Sequence, residues 1–200
     1  MTYGIITSSV SLRPAGRKDG YAMKQQHPCR QECLQLLKQY DTPNHVVRHC
    51  VAVADTAVAI GKALNNHGYH LDLDLIQAAG LIHDIARVED EHWEKGYQLA
   101  RDLGYKQEAD IIKVHMRYTP FSAVEHVTET DLVCLGDRIV KEDQYVGLDR
   151  RMEYIIEKAR KQGHFDAEKR ILEKKKEAQS LINGIERTIG MTLDQLMKGN

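Results

Sequence analysis

The chain has four cysteines, Cys29, Cys33, Cys50 and Cys134, and no Cys-x-x-Cys pair among them. That spacing sets aside the paired-cysteine motifs and reads as free thiols in a reducing compartment. No charge sign dominates. Lys and Arg number 28 and Asp and Glu 29, for a formal net charge of -1. Nothing in that balance calls for a nucleic-acid partner or a membrane surface. No apolar run approaches the roughly 20 residues that span a bilayer. The opening stretch "MTYGIITSSVSLRPAGRKDGYA" lacks the apolar segment of about 7–15 residues that marks a secretory leader, so the expected location is cytoplasmic. Strand-like alternation and internal repeats are absent. The four prolines fall near helix starts or in loops.

Helical periodicity is what remains, in a chain of 200 residues, long enough for one domain with a sizeable core. Residues 1–26 show no period and are expected to form a flexible arm, with Met23 an alternative start. From Thr42 to Leu64, the residues Val46, Cys50, Val53, Ala57, Ile60 and Leu64 recur at steps of four and three, which is one buried helical face. "NNHGYH" breaks that helix. A second helix is expected over Leu73–Arg87 with Asp72 or Asp74 as its cap. "DEHWEKGYQLARDLGY" predicts a short third helix and "KQEADIIKVHMRY" a fourth, closed by Pro120. "TETDLVCLGDRIVKED" predicts a fifth, with Thr128 as cap and Asp131 in the first turn. Two charged amphipathic segments follow from Asp149. In the second, "EKKKEA" reads as a solvated face. Ile171, Ala178, Leu181, Ile182 and Ile185 form an apolar side, free to pack on the same domain or on a second subunit.

The informative residues are polar ones beside these apolar faces. His49 lies between Val46 and Val53. His83 and Asp84 sit inside "AAGLIHDIAR", His115 follows Ile111 and Ile112, and Asp137 lies between Val133 and Val140. An unpartnered buried polar group costs about 1–3 kcal/mol, and a lone carboxylate more. A single core histidine is ordinarily satisfied by a hydrogen bond. A set of imidazoles and two carboxylates on separate helices is satisfied together by a divalent cation, whose preferred ligands these are. His92, opening the next helix, offers a ligand for a second ion, and His115 could join it. His45 reads as a surface or supporting group, and His27, His67, His70 and His164 read as exposed. His126 is ambiguous.

In their order and flanks these residues resemble the HD-domain metal-dependent phosphohydrolases. "HCVAVADTAVAIG" is similar to that family's first metal helix, "AAGLIHDIAR" to its second and "GDRIV" to its closing aspartate segment. The resemblance covers about residues 42–152. It implies an all-α helical bundle, with the HD metal-binding domain drawn over 27–152 and C-terminal helices over 153–200. It also implies one metal on His49, His83, Asp84 and Asp137. His92 and His115 match the two further histidines of the two-metal subgroup, in which Asp84 bridges the ions. The metal is then one or two of Fe, Mn, Co, Ni, Zn or Mg.

Departures narrow the reading. Arg87 stands where the family often has lysine, which suits phosphate binding better than proton donation. No Gly-Tyr-Pro follows His115, against a cyclic-dinucleotide phosphodiesterase. The expected reaction is cleavage of a phosphate ester or anhydride of a nucleotide-type substrate by metal-activated water. Asp84 and Arg87 carry catalysis, and Arg87, Arg138 and Lys141 meet the substrate, with Arg150 and Arg151 as further cations. For Arg138, Lys141, Arg150 and Arg151 a surface charge is the plainer reading; for Arg87 the two readings stand level. Tyr118 and Trp93 could stack on a base, but a rim or core aromatic is the plainer reading for both. A dinucleoside polyphosphate hydrolase, a non-catalytic HD-domain nucleotide sensor and a metal-dependent oxygenase are the rivals. The expected partner is a small phosphorylated molecule, with a homodimer possible and neither nucleic acid nor membrane involved.

Overall fold

The spacing of four and three in the first long helix does bury one face. Val46, Cys50, Val53, Ala57, Ile60 and Leu64 are all buried along it in the computed structural model, which describes residues 27–164 and 166–199. The expected arm, residues 1–26, lies outside the described residues. The helices are α1 (Arg30–Gln39), α2 (Asn44–Asn65), α3 (Leu73–Ile82), α4 (His92–Asp102), α5 (Lys106–Val114), α6 (Glu129–Ile139), α7 (Leu148–Lys161), α8 (Ala167–Ile189) and α9 (Leu193–Lys198). A short 3₁₀ turn occupies Val124–His126. The strands are β1 (Val140–Lys141) and β2 (Gln144–Tyr145), paired antiparallel with Val140 opposite Tyr145. Two-residue strands are too short to show alternation in a sequence, which is why this hairpin was not anticipated.

Local chemistry sets the helix starts. The Asp72 carboxylate accepts from the Asp74 and Leu75 backbone N–H groups and starts α3. Thr128 and Asp131 form a reciprocal capping box at the start of α6. One boundary differs from expectation. α3 ends at Ile82, not Arg87, and His83 is its C-cap. Beyond it the backbone tightens into bonds from Ile85 N–H to Ile82 O, Arg87 N–H to Asp84 O and Glu89 N–H to Ala86 O. Ile85 still points into the core at 3 % exposure, so the apolar pattern runs past the point where the α-helix stops.

Two glycines set the spacing of the central helices. A Cβ on Gly80 of α3 would stand 2.8 Å from the Ala54 Cα of α2. A Cβ on Gly136 of α6 would stand 3.1 Å from the Val53 carbonyl oxygen. Both helices therefore lie backbone-close on α2, just where it carries His49 one turn before Val53. The C-terminal helices belong to the same packing. Ala178, Leu181, Ile182 and Ile185 of α8 share one buried cluster with Ile60, Leu64, Leu132 and Leu135. A second cluster joins Cys33 and Leu37 of α1 to Cys50, Leu81, Ile82 and Ile112. Among the described residues no helix is long and apolar enough to cross a membrane, and all four cysteines are free thiols.

Candidate metal centre

His83 and His115 reach the centre by the same local device. Each caps the C-terminus of a helix, and each donates its Nδ1–H back to a carbonyl three residues earlier: His83 to Gly80 at 2.8 Å and His115 to Ile112 at 2.6 Å. His49, on α2, donates Nδ1–H to the Glu142 carbonyl in the β1–β2 turn at 2.8 Å. A histidine that spends Nδ1–H on a carbonyl turns the lone pair of Nε2 outward, which is the form that ligates a metal. The Nε2 atoms of His83, His92 and His115 are buried without any hydrogen-bond partner. Buried polar atoms in folded proteins are nearly always satisfied, so three orphans at one place are a specific signal.

The two carboxylates face these atoms. Asp137 Oδ1 lies 3.0 Å from His49 Nε2. Asp84 splits its oxygens. Oδ1 is 3.2 Å from His92 Nε2 and 3.5 Å from His115 Nε2, whereas Oδ2 is 3.8 Å from His83 Nε2 and 3.3 Å from Arg87 Nε. The contacts of Asp84 with the imidazoles are close in distance but are not aligned as hydrogen bonds. The rings form a chain, with centroids 5.5 Å apart for His49–His83, 5.3 Å for His83–His115 and 5.5 Å for His92–His115. Two donor groups result, His49 with His83 and Asp137, and Asp84 with His92 and His115, the ligand atoms within each lying within 4.8 Å of one another.

Electrostatics agree with the geometry. Burial pushes the Asp84 and Asp137 carboxyls up, but the facing imidazoles, led by His83 for Asp84 and by the His49 bond for Asp137, outweigh it and hold both well below the usual carboxylate range. Burial pushes His83 down, against the opposing pull of Asp84 and Asp137. For His49 and His115 burial again acts downward, but their contacts with Asp137 and Asp84 prevail and raise them. Ionised carboxylates beside the ligating tautomers of His49, His83 and His115 fit a divalent cation; His92, whose Nδ1 accepts from Arg87, joins them only when that contact is released and Nδ1 carries the proton.

The centre forms the floor of a cleft of about 760 Å³, whose lining includes His49, Asp84, Asp137, Arg87, Arg138 and Lys141. Arg87 also donates from Nη1 to His92 Nδ1 at 3.3 Å. Arg138 donates to the Tyr118 carbonyl and lies over the Phe121 ring at 4.6 Å. Lys141 Nζ lies 4.3 Å above Tyr154. Arg151 lines the cleft; Arg150 is exposed and does not. His45 is exposed at the cleft rim, and His126 is exposed and belongs to neither donor group.

Tyr118 follows the plainer reading of a structural aromatic, its hydroxyl donating to Asp131 at 2.9 Å. Two expectations change. His27 is buried, its side chain 5 % exposed, with Nδ1–H donating to the buried Glu108 at 2.6 Å. A long-range partner 81 residues away left no trace in the local sequence. Lys174, inside the "EKKKEA" run, is half-buried and lines the cleft. The sequence alone missed it, as it missed Lys158, because α7 and α8 look like ordinary charged helices until they fold over the site; Arg48, on α2 beside His49, was missed as well.

An all-helical bundle that gathers the ordered set His49, His83–Asp84, His92, His115 and Asp137 in one place defines the class as metal-binding helical proteins of the HD type. The chain belongs to the HD domain family, whose sequence profile matches residues 46–191; the family is, in general, one of metal-dependent phosphohydrolases. An uncharacterized protein of Methanocaldococcus jannaschii is 35 % identical over 85 residues, 41 % of this chain and 50 % of that protein. A tRNA (cytidine(56)-2'-O)-methyltransferase of Thermoplasma volcanium is 26 % identical over 160 residues, 72 % of this chain and 45 % of that protein. The chain thus spans about half the length of these relatives. No solved structure matches it significantly.

Proposed function

We propose that the protein hydrolyses a phosphate ester or phosphoanhydride of a small nucleotide-type substrate in a metal-dependent reaction. The observation that carries this reading is the convergence of three orphaned buried imidazole nitrogens and two ionised carboxylates on the floor of a cleft whose walls carry cations. Similarity to part of a tRNA-modifying enzyme of Thermoplasma volcanium supports a nucleotide over another phosphate ester. His49, His83 and Asp137 would hold one cation and His92 and His115 a second, with Asp84 between them. When bound, such a pair would lower the pKa of water far below its bulk value and so supply hydroxide at neutral pH.

The chain's own residues do the rest. The carbonyls of Gly80, Ile112 and Glu142 lock three imidazoles in the ligating tautomer. Arg87, resting on Asp84 Oδ2, presents a guanidinium suited to stabilising phosphoryl charge. Arg138 and Lys141, held over Phe121 and Tyr154, place fixed positive charge along the wall where the phosphoryl oxygens sit. The test is metal content together with phosphate release from a nucleotide panel, for wild type and Asp84→Ala, with Mn, Fe, Co, Ni or Mg supplied. Bound metal and turnover that both disappear in the variant uphold the reading. Turnover that persists without metal sinks it.

A further inference from the structure

The cleft carries more positive charge than the metal floor accounts for. Of its cations, Arg48 pairs with Asp143 at 3.2 Å and Arg87 with Asp84 at 3.3 Å. Arg138, Arg151 and Lys174 line the same cleft and make no ion pair among the described residues. Two of the three are also unsatisfied at the atomic level: Arg138 Nη1 and Arg151 Nε are buried and have no hydrogen-bond acceptor. A guanidinium N–H buried without an acceptor is costly, more so than a neutral donor. Arg138 is not free to turn away and find one, since its Nη2 is fixed on the Tyr118 carbonyl and its plane rests on Phe121.

Lys174 adds a third charge from α8. Burial, then the neighbouring Arg138, holds its amine below the ordinary lysine value, with Arg170 and Arg117 acting in the same direction. Asp137, committed to the His/Asp floor, acts on Arg138, and Glu177 acts on both Arg138 and Lys174 and already accepts the Thr119 hydroxyl. With Arg151 lining the same cleft without an ion pair, three cations face carboxylates that are already engaged, an excess that an anion would neutralise. These groups come from α6, α7 and α8, so the C-terminal helices supply most of the wall.

We propose that Arg138, Arg151 and Lys174 form a second anion subsite that takes a phosphoryl group of the substrate other than the one at the His/Asp floor. This inference rests on the phosphohydrolase reading for what the floor does. It adds that the substrate carries at least two phosphoryl groups, as a nucleoside polyphosphate or a bisphosphorylated nucleotide does. A cleft of about 760 Å³ is within the range of ligand sites that enclose molecules of that size. The planar fork of each arginine suits bidentate phosphate recognition, and a lysine adds a point charge.

The experiment is calorimetric titration of the metal-free full-length chain with inorganic pyrophosphate and with inorganic phosphate. It compares wild type with Arg151→Gln, Lys174→Gln, Lys174→Arg and a charge-matched control, Lys176→Gln, whose residue is exposed and outside the cleft. Thermal melts verify that each variant is folded. Wild type should bind one pyrophosphate. Arg151→Gln and Lys174→Gln should each weaken it by about tenfold or more, the loss of a charge-assisted contact. Lys174→Arg should recover most of the affinity and Lys176→Gln should change nothing. Absence of binding, or equal weakening by Lys174→Gln and Lys176→Gln, overturns the subsite. Because no metal is present, these outcomes are independent of turnover. A subsite that behaves as expected in a protein whose metal-loaded form releases no phosphate from the panel would uphold the subsite and remove the hydrolase reading.

Discussion

Two aspartates in this protein are buried to nearly the same extent for opposite reasons. Asp131 is 0 % exposed and Asp84 is 7 % exposed. Asp131 is saturated: Oδ1 accepts from the Tyr118 hydroxyl and the Ser122 N–H, both at 2.9 Å, and Oδ2 from the Thr128 N–H at 2.9 Å and hydroxyl at 2.7 Å. Its surroundings provide what a carboxylate needs, and it ties the loop before α6 to the helix. Asp84 makes no such bonds. It faces three imidazoles whose Nε2 atoms are themselves unpartnered. A saturated buried carboxylate holds a fold together, whereas one surrounded by unsatisfied ligand atoms is held in place for something else to bind.

That contrast can be broken or sharpened by substitution. The largest effect is expected at the centre. Asp84→Ala should abolish bound transition metal, read by elemental analysis, and lower turnover by about 10³-fold or more, since it removes the charge stabilisation of the metal site. Its stability without metal should change little. Asp131→Asn should do the reverse, losing about 3 kcal/mol in urea unfolding because several buried donors lose an ionised acceptor, while metal content stays at the wild-type level. If Asp84→Ala proved the more unstable of the two when metal-free, the division between them would fail.

Gly80→Ala tests the link between scaffold and site. Its Cβ would press on the Ala54 backbone at 2.8 Å, and overpacking of this kind costs about 2 kcal/mol. Because His83 lies three residues further on, metal affinity should fall along with the melting temperature. A loss of stability alone would show that α3 can shift without carrying its histidine. The smallest effect is expected for Arg87→Gln, at a side chain 44 % exposed. KM should rise about tenfold, near 1.4 kcal/mol, with metal content intact. An unchanged KM would remove Arg87 from the substrate's path.

Much of this was legible before any coordinates. The buried face of α2, the caps at Asp72 and Thr128, and the placement of His49, His83, Asp84, His115 and Asp137 beside apolar residues all follow from local spacing, because helical periodicity and capping act over three or four residues. The same locality explains the errors. The apolar run through Ile85 disguised the end of α3 at Ile82, and the charged run holding Lys174 looked like any solvated face.

What the sequence determined by itself was therefore the run of helices from α2 to α8, the donor types and their order along the chain, each readable within a few turns. The tertiary structure alone decided how six donors from separate elements divide into two groups about Asp84, that His27 finds Glu108, and that α7 and α8 bring Arg151 and Lys174 over the cleft. Those relations depend on backbone-close packing at Gly80 and Gly136 and on contacts between residues far apart in the chain. No local propensity encodes a distance between such residues; only the packed core does.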